Sequence, residues 1–92
     1  MAKFAAVVIF DQDAPRLEVR PKHREYLTSL LESGKLHESG PWGDDTGALI
    51  IYEAADQAEA ESLFAADPYA NTPGVVGEVT IREWNRVFPP PE

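Results

Sequence analysis

The chain switches between stretches that are apolar on two faces and stretches that are apolar on one. In "KFAAVVIF", Lys3–Phe10, an extended backbone puts Ala5, Val7 and Ile9 on one side and Phe4, Ala6, Val8 and Phe10 on the other. The run predicts a strand covered on both sides. "ALIIYEA", Ala48–Ala54, predicts a second strand of the same two-sided kind. Between them the period becomes helical. In "RPKHREYLTSLLESGK", Arg20–Lys35, Leu27, Leu30 and Leu31 share one side with Tyr26 at its edge. Pro21 suits the first turn of a helix and Gly34 suits its end. Asp11–Val19, with Pro15, reads as a polar loop. A second helix starts at Asp56, with Glu59 in capping-box position. It buries Ala60, Leu63 and Phe64 and closes near Asp67, before Pro68. Lys35–Ser39 predicts a short edge strand. "GPWGDDTG" and "NTPG" predict turns, the first of them holding Ser39 beside Gly40 and Pro41. Val75–Val87 predicts a last strand whose alternation loses phase near Trp84, the mark of a bulge.

The order is β-α-β-β-α-β. That is the ferredoxin-like α+β plan, an antiparallel sheet with both helices on one face. Residues 1–88 form one domain, and "PPPE", 89–92, is an extended, frayed tail. Two helices cover one face of the sheet, yet two strands are apolar on both faces. A second copy of the chain is the simplest cover, so a homodimer packed sheet against sheet is expected.

Composition narrows the function. At 92 residues the core is small and the stability margin thin. There is no Cys, which excludes disulfides and thiolate metal sites. No apolar run approaches the roughly 20 residues of a membrane span, and the apolar start reads as a strand rather than a signal segment. A cytoplasmic protein is expected, with no membrane partner. The 16 acidic and 8 basic residues give a net charge of -8, which argues against a nucleic-acid partner. Arg16, Arg20, Lys22 and Arg24 form the one modest basic cluster, either an attractor for a small anion or a solvated helix start. No G-x-G-x-x-G, P-loop or nucleophile elbow is present, and no cofactor is expected.

His23 is the residue with a chemical question attached. At 100° per residue it lies about 40° from Leu27 and about 20° from Leu30, so it points with the buried stripe. The positive end of the helix dipole and partial burial both favour a neutral imidazole there, and a nearby carboxylate would fix its tautomer. Asp67 is the candidate carboxylate. The residues alone leave two readings open: a general base paired with Asp67, or a structural histidine with Asp67 merely turning the chain before Pro68. His37, beside Glu38 and near Trp42, reads as a surface histidine. A zinc site of His23, His37 and Asp67 lacks any close ligand spacing, and no metal is expected.

The combination of "RPKHREYLTSLLESGKL", "SGP", "AADPYA" and "VTIREWN", in this order, resembles the YciI-like family (YCII-related domain) of the dimeric α+β barrel superfamily. The resemblance spans nearly the whole chain. It implies an active-site pair, His23 and Asp67, with Arg20, Ser39 and Tyr69 at the family's substrate-binding positions. It also implies proton transfer next to a carbonyl. Relatives eliminate chloride from chlorinated aromatic breakdown products, and isomerases of muconolactones share the superfamily. The expected function is therefore that of a small-molecule lyase, such as a dehydrochlorinase, or an isomerase. The alternative is a non-catalytic dimer that binds a small metabolite in the same pocket.

Overall fold

A computed structural model describes residues 1–90; the last part of the expected tail, 91–92, lies outside them. The elements follow the expected order: β1 (Ala2–Phe10), α1 (Asp13–Glu32), β2 (Leu36–Pro41), β3 (Gly47–Ala54), α2 (Gln57–Ala65) and β4 (Val76–Trp84). The four strands form one antiparallel sheet in the order β2-β3-β1-β4, the ferredoxin-like topology. Among the described residues, no helix is long and apolar enough to cross a membrane.

The inner face of the sheet carries the core. Ala6, Val8, Ile50 and Tyr52 meet Leu30 of α1 and Phe64 of α2. Phe4 and Ala54 close over Ala60 of α2. α2 starts as its sequence dictates: Asp56 accepts the Glu59 N–H at 2.8 Å. The Glu59 side chain reaches back one residue further than a strict capping box, to the Ala55 N–H at 2.7 Å. The outer face is only partly covered: Ile51 of β3, opposite Ala5, is buried there. Val7 of β1 is 40 % exposed and Ile9 is 48 % exposed, and Trp84 of β4 is exposed at the other end of the same face, opposite Lys3.

Three expectations need correction. Asp11–Val19 is not a loop: α1 begins at Asp13 and runs through Pro21. Pro15 lies in the first turn, where its missing N–H has no intrahelical acceptor to lose. Pro21 does give up one helical hydrogen bond. The turns before it are tied down by Arg16, whose Nη2 donates to Asp13 at 3.1 Å and to Asp45 at 2.9 Å. Second, β4 runs in unbroken register to Trp84 opposite Lys3. The irregularity is at its other end, where Gly77 is squeezed out between the Phe10–Val76 and Ile9–Glu78 pairs. Third, Ser39 is not in a turn. β2 continues to Pro41, with Ser39 opposite Ile50. Pro41 is tolerated because β2 is an edge strand, where a lost donor breaks no ladder.

One glycine is demanded by contact rather than by a turn. A side chain at Gly47 would collide with the Val8 carbonyl oxygen and press on the Trp42 indole. Gly47 thus lets β3 start hard against β1, and it fixes the hairpin that carries Asp45.

Candidate functional site

α1, β2 and the turn after α2 enclose a cleft of about 470 Å³. Arg20, His23, Ser39 and Tyr69 line it, and so does Arg16, expected as part of the basic cluster but not among the substrate-binding positions. Asp67 lies behind His23 and is fully buried.

Asp67 is placed by the end of α2. Its N–H donates to the Phe64 carbonyl at 3.0 Å, and Pro68 prevents another helical turn. The chain then folds round it: the Tyr69 N–H donates to Asp67 Oδ1 at 2.8 Å, and the Ala70 N–H donates to its carbonyl at 2.9 Å. The carboxylate is aimed at α1. His23 Nδ1 lies 2.8 Å from Oδ1 and 2.9 Å from Oδ2. An ionised carboxylate only accepts, so in a neutral imidazole Nδ1 is the nitrogen that carries the proton and Nε2 the one with the lone pair. The imidazole is stacked on the Tyr69 ring, centroids 3.7 Å apart and planes within 1°. Tyr69 is itself braced by Phe10, edge to face at 5.7 Å. Burial pushes the Tyr69 phenol up, against the opposing pull of Arg16, Arg20 and Arg24, with the Asp67 charge adding to the rise.

Arg16 is 3 % exposed and sits 4.6 Å over the Phe10 ring. Burial works against its charge, but the hydrogen bonds and charges of Asp13 and Asp45 outweigh it and push its pKa up. Arg20 is half-buried on the same helix face, and Ser39 is exposed at the rim. His37 is half-buried, 3.3 Å from Glu38 and 3.8 Å from Glu53, and also lines the cleft. Among the described residues, no group of three or more His, Asp or Glu side chains is placed to hold a metal ion. The signal for Arg16 was in the sequence. Arg16, Arg20, His23 and Leu27 recur at four and three residues, one helix face, but only if the helix starts before Pro21.

Fold and site together define a small α+β protein with a buried carboxylate–imidazole pair at the side of an arginine-lined cleft. The chain belongs to the YCII-related domain family, whose profile matches residues 2–85. It is 35 % identical over 96 aligned positions to protein YciI of Escherichia coli and, equally, to that of Shigella flexneri, covering 88 % of this chain and 97 % of each relative. Its fold is similar to that of a 5-chloro-2-hydroxyhydroquinone dehydrochlorinase from Burkholderia phenoliruptrix, solved in complex with 2,5-dihydroxybenzoquinone. That likeness has a TM-score of 0.73 at 22 % identity, over 96 % of this chain and 99 % of the other.

Proposed function

We propose that this protein is a small-molecule enzyme in which His23 and Asp67 carry out general acid–base proton transfer. The chemistry is that of a dehydrochlorinase-type lyase or an isomerase, acting on a small cyclic, oxygen-rich intermediate of aromatic breakdown. The observation that carries this is the grip of Asp67 on His23 Nδ1 from a fully buried position, with the imidazole lining the cleft. Such a grip fixes the tautomer in which Nε2 is the base. The fold shared with a dehydrochlorinase supports the same reaction class.

In this reading Nε2 removes a proton from a carbon next to a carbonyl. The electron pair moves into the carbonyl as an enolate. It then either expels chloride from the neighbouring carbon or is protonated elsewhere on the ring by the imidazolium. Asp67 stabilises that imidazolium. Arg20 holds an acidic oxygen of the substrate, Ser39 donates a hydrogen bond at the rim, and Tyr69 supports the ring. The working form is a homodimer joined by the outer sheet face, and the exposure of Val7, Ile9 and Trp84 on it supports this.

The test is turnover of a chlorinated hydroxyhydroquinone and of a muconolactone, followed by chloride release and by absorbance. His23→Ala should lose about 10²–10⁴-fold in rate, the usual contribution of a general base, with its circular dichroism unchanged. Unchanged turnover in that variant would falsify the role. Both compounds recovered intact from the parent protein, but bound, would favour the metabolite-binding reading.

A further inference from the structure

Arg16 is buried in a way that its protein partners do not fully account for. Both aspartates that pair with it bond the same nitrogen, Nη2, and both are themselves largely exposed. Its Nε is buried and finds no acceptor among the described residues. A buried donor without an acceptor is costly, and this one belongs to a guanidinium that lines the cleft. Its plane is set by Phe10 beneath it.

We propose that Arg16 is the specificity-determining residue of the cleft: it anchors the oxyanion of a planar ring carboxylate or phenolate, and Asp45 holds its place until that anion displaces it. The proposal rests on His23 as the base, which fixes the other end of the substrate. Arg16 and His23 are two turns apart on one helix face, about 10 Å along the axis. Their side chains are linked by a series of aromatic contacts, Arg16 over Phe10, Phe10 edge to face with Tyr69, and Tyr69 stacked on His23. A substituted six-membered ring seated between the inward-reaching side chains would put its charged group at Arg16 and turn its reacting carbon toward Nε2. Arg20 lies between the two and adds attraction, but among the described residues no hydrogen bond or ion pair sets its plane. Asp45 is suited to leave. It belongs to the exposed hairpin after β2 and is half-exposed itself.

The test is calorimetric titration with benzoate, 2,4-dinitrophenolate and the uncharged benzamide. The parent should bind one or both anions, which separates carboxylate from phenolate recognition, with affinity falling as salt rises, and should not bind benzamide. Arg16→Gln should weaken anion binding by roughly ten- to a hundredfold, the value of a charge-assisted hydrogen bond. Asp45→Asn should tighten it, because no carboxylate then competes for Arg16; a merely structural pair would give weaker or equal binding. The proposal is overturned if neither anion binds at millimolar concentration, if benzamide binds as well, if folded Arg16→Gln binds like the parent, or if Asp45→Asn fails to tighten. Should Arg16→Gln not fold, the Asp45→Asn result decides. If these anions bind as expected while His23→Ala keeps full turnover, the base assignment fails and the anchor stands.

Discussion

At Asp67 two oxygens serve two different donors. Oδ1 takes the Tyr69 N–H, and both oxygens face His23 Nδ1. An asparagine at this position keeps its carbonyl oxygen on the Tyr69 N–H and turns its NH₂ toward Nδ1. That group donates, so Nδ1 must accept and the proton moves to Nε2. Asp67→Asn is therefore expected to leave the fold intact, switch the His23 tautomer and lower turnover by about 10²–10⁴-fold. Nitrogen NMR of the His23 ring reads the tautomer directly, and a proton still on Nδ1 in that variant would sink the argument. Much of this pair was legible beforehand. The angular position of His23 relative to Leu27 and Leu30 aimed it inward, and the resemblance supplied Asp67. What pattern alone did not reveal is that α2 ends so as to point the carboxylate at α1, since that depends on packing across the sheet.

At the level of elements, β1, β3 and α2 were readable because their apolar positions repeat without interruption. α1 was read too short, because Pro15 and Pro21 each look like a boundary, and with its first turns went the alignment of Arg16 with His23. Pro21→Ala restores the N–H that a helix at this position needs. The gain from the regained bond outweighs the extra freedom of the unfolded chain, so stability should rise by about 1–2 kcal/mol, read from chemical denaturation. A lower midpoint would show that the helix is built around the proline. In β3, the Tyr52 hydroxyl is buried with no acceptor among the described residues. Burial first, then the charge of Asp67, push its phenol above the ordinary value of 10.0. The folded chain thus holds this proton more tightly than the unfolded one. The resulting stability is present below about pH 10 and is lost as pH rises beyond it. Tyr52→Phe should be neutral or stabilising by about 1 kcal/mol at pH 7, and it should lose less stability than the parent between about pH 9 and pH 11.5. A steeper alkaline loss in the variant would contradict this.

For the whole molecule, the open part of the outer sheet face is where the proposed dimer would join. The two-sided apolar pattern of β1 and β3 was visible in the sequence, and the structure leaves the outer face partly open, with Ile51 buried but Val7 and Ile9 of β1 half-exposed. Ile9→Glu places a charge there without touching the core or the cleft. Sedimentation should give a dimer for the parent at micromolar concentration and a monomer for this variant, with weaker stability because a chain this small has little apolar burial to spare. A monomeric parent would remove the dimer from the proposal. The net charge of -8 belongs to this scale as well. It repels anions from most of the surface, so encounter with an anionic substrate is expected to depend on the arginine-lined side and to slow as salt is added.

The stacking of His23 on Tyr69 has a stereochemical consequence. An imidazole held flat at 3.7 Å by one ring, and by its edge at 2.8 Å and 2.9 Å by a carboxylate, cannot swing to the other side of a bound molecule. In its proposed role, whatever hydrogen it removes, it removes from one face, and whatever it gives back returns to that face. An isomerisation run by this base is therefore suprafacial. With a deuterated substrate, part of the label should reappear in the product, on the face from which it was taken.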